Sequence, residues 1–294
     1  MKIIVTHSSP DLDAITSVWA IKRFLPGWSE AKVEFVPAGE RSSRSQNVDY
    51  AIEKVGNDEM IHVDTGLGPL DHHQTSDDTV CGASRSWDFA KENNPEIVAQ
   101  KDKKEAIDRI VKIVVDADHF KEVFWADPTA DYHEFSILGV LDGLKLQKPD
   151  DDAYYVEFIM SCLDALLHQF QNRIWAEKEI ADSGIPFSTK YGRAIGFETI
   201  NDSVVKLSQK MGYMLVVRRD PRKGYVRIKA KPPTQEELQI DLTLAYEKLK
   251  KIDPDATWYL HVSKKMLLNG SVKNPKMRPS SLSLNQIIEV LKQA

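Results

Sequence analysis

The sequence predicts an α/β protein in which a mostly parallel, doubly wound sheet is followed by a helical region and a smaller α+β domain. The first third of the chain alternates short apolar segments with segments of helical period, a pattern typical of parallel sheets. Residues 84–183 are mainly of helical period, and residues 185–294 again mix strand-like and helix-like segments. These shifts predict two domains, residues 1–184 and 185–294.

The first third places polar residues after its predicted strands. The predicted elements are, in order, the strand KIIVTH, the helix DLDAITSVWAIKRFL, the strand KVEFVPA, the helix NVDYAIEKV and the strand ends MIHVDTG and GPLDHH. In a doubly wound sheet the carboxyl ends of parallel strands line one crevice, where groups far apart in sequence meet. The polar side chains that follow these strands are therefore expected to converge.

The remaining elements are predicted from helical period and turn residues. The middle of the chain is predicted to hold the helices SRSWDFAKE, KKEAIDRIVKIVVDAD and DYHEFSILGVLDGL and one long helix within DDAYYVEFIMSCLDALLHQFQNRIWAEKEIADSG. Gly184 and Pro186 would end the long helix, which places the domain boundary there. The last part is predicted, in order, as the strand PFSTKYGRAIGFET, the helix NDSVVKLSQKMG, the hairpin YMLVVRRDPRKGYVRIKAKP, the helix DLTLAYEKLKKI, the strand TWYLHVSKKMLLNG and the helix LSLNQIIEVLKQ.

The composition predicts a soluble globular protein. The chain has 294 residues, of which 42% are hydrophobic, and no apolar segment approaches the ~18–20 residues of a membrane span. Its start, MKIIVTH, lacks the features of a signal peptide, so a cytoplasmic location without membrane partners is expected. The two cysteines, Cys81 and Cys162, are far apart, which argues against a disulfide framework or a thiolate zinc site. Any metal ligands are then oxygen and imidazole groups.

The charge is divided unequally between the two predicted domains. The net charge is −5, but residues 185–294 carry 20 Lys and Arg against 10 Asp and Glu, whereas residues 1–184 carry 19 against 34. The first domain is therefore −15 and the second +10. An acidic domain suits divalent cations and a basic one suits a polyanion, a combination that fits a metal-assisted enzyme acting on phosphates.

Residues of metal-binding type cluster where the predicted strands end. The candidates are His7, Asp11, Asp13, Asp64, Asp71, His72, His73, Asp116 and Asp118. So many carboxylates at one sheet edge would repel one another unless cations or protons compensate them. Mixed carboxylate and imidazole ligands favour Mn²⁺, with Mg²⁺ or Co²⁺ as alternatives. Two such ions would activate a water for phosphoryl displacement.

At these motifs the chain resembles the DHH phosphoesterase superfamily. The resemblance rests on THSSPDLDAITS, on an aspartate after a strand, on DHH and on a further aspartate, all within residues 1–120. The first motif is closest to that of the manganese-dependent pyrophosphatases and exopolyphosphatases, whereas DHHQ resembles the MYG1 exonuclease group. The glycine-rich substrate loop of many nuclease members is missing, and LLNGSVKNPKMRPSSLSL stands in its place.

The resemblance implies a role for each motif residue. His7 and Asp11 would bind one ion, Asp13 and His72 the other, and Asp64 and the fourth-motif aspartate would bridge or support both. Asp116 is preferred for the fourth motif because it directly follows the apolar run IVKIVV, and Asp118 is its substitute.

The same resemblance assigns His73 and Asp71 to the surroundings of the substrate. His73 would contact the substrate phosphate, and Asp71 would orient its neighbours. In the basic domain, the loop NGSVKNPKMRPS offers Lys273, Lys276 and Arg278 as phosphate contacts.

The expected function is hydrolysis of phosphodiester bonds in short single-stranded nucleic acid or oligonucleotides by a metal-activated water. Pyrophosphate or polyphosphate is the alternative substrate, and a catalytically silent nucleotide-binding or interaction protein is the alternative of another class. A domain with a net charge of +10 favours single-stranded nucleic acid as the substrate, because a polyanionic nucleic-acid strand contacts several cations at once. RNA or DNA, strand polarity and the native metal stay open, as does assembly into a homo-oligomer.

Overall fold

The computed structural model describes residues 1–233, 239–271 and 273–294. The chain separates into two compact units, Met1–Gln171 and Asn172–Ala294. The division falls inside the long helix, which spans Asp152–Asp182, and thus before the boundary expected at residue 184. Within the described residues, none of the helices combines the length and the apolar character that crossing a membrane requires.

The sheet of the first unit has four strands, counted over the described residues. They are β1 (Lys2–His7), β2 (Lys32–Val36), β3 (Glu53–Val55) and β4 (Asp58–His62). The strand order is β2-β1-β4-β3, in which β1 pairs in parallel with both β2 and β4 while β3 is antiparallel to β4. The sheet is therefore small and mixed, and it does not establish the doubly wound parallel arrangement that the sequence predicts.

Two predicted elements of the first unit are wrong. The segment NVDYAIEKV is a series of turns that leads into β3, because its polar side chains bind backbone instead of leaving it free for a helix. Asn47 Oδ1 accepts a hydrogen bond from the Asp49 amide at 2.8 Å, and the Glu53 carboxylate accepts one from the Asn47 amide at 2.8 Å. The segment GPLDHH is likewise a turn, in which Asp71 Oδ2 accepts from the Leu67 amide at 2.7 Å.

Most helices of the first unit lie where helical period predicts them, although the short helix Pro95–Ala99 was not predicted. The predicted helix DYHEFSILGVLDGL is divided in two, because Ser136 begins a new helix by accepting a hydrogen bond from the Gly139 amide at 3.2 Å. The helices of this unit are α1 (Leu12–Phe24), α2 (Gly82–Glu92), α3 (Pro95–Ala99), α4 (Lys101–Asp118), α5 (Asp131–Glu134), α6 (Ile137–Gln147) and α7 (Asp152–Asp182), with a 3-10 turn at Lys121–Phe124. Helix α1 is buried along almost its whole length. Phe24 packs edge-on against Trp19 and Trp87, at ring-centroid distances of 4.9 and 5.4 Å. The indole of Trp19 donates to Asp164 at 2.8 Å, which ties α1 to α7.

The second unit is an α+β structure built on one mixed sheet. Its strands are β5 (Ile185–Thr189), β6 (Gly192–Glu198), β7 (Leu215–Arg219), β8 (Val226–Ala230), β9 (Trp258–Leu260) and β10 (Met266–Asn269). Its further helices are α8 (Ser203–Lys210), α9 (Thr243–Ile252) and α10 (Leu284–Lys292). The strand order is β5-β6-β7-β8-β10-β9, and within it only β6 and β7 pair in parallel among the described residues. The two segments predicted as single strands, around residues 185–198 and 257–270, are each an antiparallel hairpin.

Candidate metal centre

Asp64 lies at the middle of the candidate site, two residues after the end of β4. Its backbone has a left-handed φ of 52°, and its amide donates to the Leu70 carbonyl at 3.0 Å, so the chain turns sharply at this residue. Only 2% of Asp64 is exposed, and its Oδ1 is buried without a hydrogen-bond partner in the described residues. An unpartnered carboxylate oxygen at this depth is costly unless something absent from the protein chain binds it.

One group of ligands is formed by the loop between β1 and α1. His7 Nε2 lies 3.4 Å from Asp64 Oδ2 and 3.9 Å from Asp11 Oδ1. The other ring nitrogen, His7 Nδ1, is 2.9 Å from the Ser8 carbonyl oxygen and donates to it, which leaves Nε2 as the free lone pair. Asp11 is also the N-cap of α1, because its Oδ1 accepts from the Ala14 amide at 2.9 Å. His7, Asp11 and Asp64 together form a group that could hold a metal ion.

A second group forms around His72. His72 Nε2 lies 3.5 Å from Asp64 Oδ1, 3.6 Å from Asp13 Oδ2 and 3.6 Å from Asp118 Oδ2. Asp64 thus offers one oxygen to each imidazole, His7 and His72, as a bridging ligand would. His72 and Asp118 form a further potential metal-binding group with His119, whose Nε2 is 3.7 Å from Asp118 Oδ2 and 2.9 Å from the Val80 carbonyl oxygen.

Asp13 is held by the first turn of α2. Its two carboxylate oxygens accept hydrogen bonds from the Gly82 and Ala83 amides, both at 2.7 Å. These amides are among those that a helix N-terminus leaves without an intrahelical partner. A Cβ at Gly82 would lie 2.7 Å from the Cβ of Asp64 and 3.0 Å from Asp13 Oδ2, so the close packing of the two aspartates requires glycine.

Of the two aspartates of the fourth motif, the structure brings Asp118 and not Asp116 to His72. IVKIVV belongs to helix α4, where a step of two residues turns a side chain by about 200°. Asp118 therefore faces His72, whereas Asp116 points elsewhere and lies 3.4 Å from Lys112 Nζ. Asp116 was preferred because it directly follows the apolar run. In a helix, however, the direction of a side chain depends on its angular position and not on its distance from such a run. His119, which no motif assignment included, lies beside Asp118 because it directly follows the last residue of the same helix.

His73 and Asp71 form a pair beside the centre. His73 Nδ1 lies 2.7 Å from Asp71 Oδ1, and 55% of the His73 side chain is exposed while that of Asp71 is fully buried. Burial alone would raise the pKa of Asp71, but hydrogen bonds from the His73 side chain and from the His73 and Leu67 amides lower it. Asp71 is thus a carboxylate that fixes the ring of His73 through Nδ1 and leaves Nε2 out of this contact. His73 Nδ1 also lies 3.9 Å from Asp64 Oδ1, and these two residues and His72 form a third potential metal-binding group.

The electrostatics of the centre favour a cation. Burial, reinforced by Asp11, raises the pKa of Asp64 to about 9. Burial also raises the pKa of Asp13 and of Asp118, and lowers that of His72. Without a cation these groups are therefore driven toward their neutral forms. The unpartnered Asp64 oxygen, the free Nε2 of His7 and the lack of thiolates fit hard or borderline divalent ions such as Mn²⁺, Mg²⁺ or Co²⁺.

These pKa values predict how the stability of the metal-free protein changes with pH. Asp64 binds a proton in the folded state up to about pH 9 and loses it on unfolding at neutral pH, so stability falls as pH rises. Between about pH 7 and pH 8.5 the free energy of unfolding should drop by about 1.4 kcal/mol per pH unit for this group. Urea denaturation in EDTA measures the slope, and saturating Mn²⁺ should abolish it. A metal-free protein that is equally stable or more stable at the higher pH would contradict the assignment.

The second unit contains a cationic cavity of about 600 Å³. Its lining includes Arg218, Arg222, Lys223, Arg227, Lys273, Tyr225, Asp202 and Asp220. Arg218 is 9% exposed, its Nε lies 3.2 Å from Asp202 Oδ1, and its Nη1 donates to the Thr199 carbonyl at 3.0 Å. Of the three phosphate contacts expected from sequence, Lys273 lines this cavity. Lys276 and Arg278 are exposed and are not among its lining residues.

Comparisons with known proteins give distant structural similarities only. No family model matches the chain, and no curated protein matches it. Similar solved structures include an uncharacterized protein from Helicobacter pylori G27 (12% identity, 100% of both chains, TM-score 0.25). They also include the pGpG-specific phosphodiesterase PggH of Vibrio cholerae (13% identity, 98% of both chains, TM-score 0.27). A third is a putative family II inorganic pyrophosphatase of Methanococcus jannaschii (14% identity, 100% of this chain and 99% of the other, TM-score 0.21). TM-scores of this size support no inference about this chain, so the resemblance to the DHH superfamily rests on the motifs and on their convergence.

Proposed function

We propose that this chain is a divalent-metal-dependent phosphohydrolase that cleaves phosphodiester bonds in short single-stranded nucleic acid or oligonucleotides. The observation that supports it is the convergence of His7, Asp64, His72 and Asp118 from four separate segments, with Asp64 in reach of both imidazoles. Convergence of this kind is costly for buried carboxylates and is typical of sites that bind ions.

The side chains divide into two adjoining ligand sets. His7, Asp11 and one Asp64 oxygen would hold one ion, while His72, Asp118 and the other Asp64 oxygen would hold a second, with Asp13 beside it. Divalent ions in such a site supply Lewis acidity and activate water for attack on phosphorus. The protein chain contributes the fixed positions of these ligands, since Asp11 and Asp13 are each held by backbone amides.

His73 is the group best placed to contact the substrate phosphate. Asp71 holds the Nδ1 proton of His73, which leaves Nε2 with its lone pair or, when the ring is protonated, with a second N–H. A protonated ring would donate to a phosphoryl oxygen and stabilise the charge that develops on it. Asp71 is therefore a positioning residue, and the ring of His73 contacts the substrate.

The cationic cavity of the second unit favours an oligonucleotide over pyrophosphate. Arginine side chains bind phosphate through paired N–H groups, and an aromatic ring such as Tyr225 offers a face on which a base stacks. A cavity of about 600 Å³ is larger than a pyrophosphate ion requires.

A substrate panel tests this proposal. Purified protein with Mn²⁺, Mg²⁺ or Co²⁺ is assayed on 5′-labelled single-stranded oligonucleotides, on pyrophosphate and on polyphosphate. Release of nucleotides that falls steeply with salt is expected for a strand that engages several cations. Hydrolysis of pyrophosphate without cleavage of oligonucleotides would replace the proposed substrate by the smaller anion. Absence of hydrolysis on the whole panel, with metal bound, would overturn the enzymatic function.

Removing cations from the cavity should weaken the binding of oligonucleotide. The double variant Arg222→Ala/Lys223→Ala is expected to raise KM for oligonucleotides about 10-fold, because charge-assisted contacts of this kind contribute about 1.5 kcal/mol or more. The salt dependence of KM should become shallower as well. Lys206→Ala/Lys210→Ala removes two exposed cations of α8 outside the cavity lining and is the matched control. Equal KM values for the two double variants would rule out the cavity as a binding site for the substrate.

A further inference from the structure

The region between α4 and α7 exposes an unusual amount of apolar side chain. Phe124, Phe135 and Leu146 are 84%, 97% and 85% exposed. Phe120, Val123, Tyr132 and Val140 on the same stretch are also exposed. Within α6 only Leu141 is buried, although most of that helix is apolar. A helix with apolar residues on all sides is normally covered by other protein.

These residues belong to neighbouring elements. The rings of Trp125 and His133 lie 5.7 Å apart, and the Tyr132 hydroxyl donates to the Ala126 carbonyl at 3.0 Å, which joins the 3-10 turn to α5. A Cβ at Gly139 would lie 2.2 Å from the Glu134 carbonyl oxygen, so α5 and α6 are in close backbone contact. The exposed apolar side chains of the 3-10 turn, of α5, of α6 and of the residues beside these elements are together defined here as the apolar face.

The apolar face contains a cavity beside its most exposed ring. The cavity has a volume of about 630 Å³ and is lined by residues of α5, α6 and α7 and of the segment between α5 and α6, namely Glu134, Phe135, Ser136, Ile137, Gly139, Val140, Cys162, Ala165 and Leu166. Phe135 stands at its edge and is almost fully exposed. A protruding aromatic ring and a receiving apolar cavity thus lie next to each other on one face.

We propose that the apolar face binds a second copy of this chain in a two-fold symmetric dimer. In such a dimer each Phe135 enters the cavity of the other copy, because a two-fold axis between a projection and an adjacent cavity makes the surface complementary to itself. Aromatic side chains bury about 150–250 Å² each, so the four exposed rings and the aliphatic residues present roughly 800 Å² per copy. This area matches one side of a standard protein interface and exceeds the exposed apolar patches usual in monomers.

The dimer is tested by sedimentation velocity on wild-type protein and single variants. Wild type is expected to be dimeric at micromolar concentration. Phe135→Asp and Leu146→Asp should each raise the dissociation constant at least about 30-fold, as loss of a central interface residue does. Both residues are highly exposed, so neither variant should disturb folding, which thermal melts by circular dichroism check. Val262→Asp, at an 87% exposed position of the second unit, is the matched control and should stay dimeric.

Three results would overturn the dimer. Monomeric wild type at micromolar concentration would exclude it. Dimers that persist in both folded variants would place the interface elsewhere on the chain. Wild type that remains monomeric and associates with phospholipid vesicles would show that the apolar face binds a lipid surface instead of a second copy.

Discussion

Replacing Asp64 with Asn is expected to lower kcat/KM about 1,000-fold, because loss of ion-mediated stabilisation of a transition state costs several kcal/mol. Asp64 is the residue whose oxygens face both His7 and His72, at 3.4 and 3.5 Å. Asparagine keeps the volume of the side chain but replaces one carboxylate oxygen by an N–H₂ group that binds no cation. The change should therefore affect both ligand sets at once. The measurement is steady-state hydrolysis of oligonucleotide, together with metal content by mass spectrometry.

The stability of the same variant separates loss of the metal from loss of the fold. In EDTA, Asp64→Asn should be at least as stable as wild type above about pH 7, because it removes a buried carboxyl whose ionisation is unfavourable. Its unfolding free energy should also vary less with pH than that of wild type. A variant that retains wild-type metal content and activity would refute the metal centre.

Replacing Asp118 with Asn should reduce metal affinity and kcat/KM by about 100-fold, while Asp116→Asn should change them less than about twofold. The estimate follows from the 10- to 100-fold losses seen when groups around a metal site are removed. Asp118 Oδ2 lies 3.6 Å from His72 Nε2, whereas Asp116 faces Lys112 on another side of α4. Isothermal titration with Mn²⁺ and steady-state kinetics give the two quantities.

Asp116→Asn is the matched control for Asp118→Asn. Both substitutions are isosteric, both lie in the last turn of the same helix, and each removes one negative charge. A difference between them therefore reports position rather than net charge or helix stability. Equal losses in the two variants would mean that the charge of the region matters and that Asp118 is no ligand. A larger loss for Asp116→Asn would restore the assignment made from the sequence.

Much of the centre was predictable because its residues follow strands. His7 ends β1 and Asp64 follows β4, two strands that pair in parallel, so their carboxyl ends had to meet. The helical period of the apolar residues, together with the residues typical of helix ends, was also sufficient to place α1, α2, α4 and the long helix. The acidic character of residues 1–184 and the basic character of residues 185–294 likewise predict a cation site and an anion site.

The rest depended on contacts that sequence patterns do not encode. The helix predicted over NVDYAIEKV failed because the Glu53 carboxylate binds the amides of Gln46 and Asn47 from several residues away. Asp116 was preferred because the run before it was apolar, whereas the angle of α4 decides which aspartate faces His72. The cationic cavity combines residues of β7, β8 and β10. These strands are neighbours only because of the order in which the strands pair in the sheet.

The hydrogen bonds from the start of α2 to Asp13 fix this carboxylate before an ion binds. Both oxygens of that carboxylate are fixed by main-chain amides of Gly82 and Ala83, which do not vary with side-chain identity. The rotational freedom of Asp13 is thus lost during folding, before any ion arrives. An arriving ion meets a ligand that is already oriented, and the entropy of ordering it is not subtracted from the affinity.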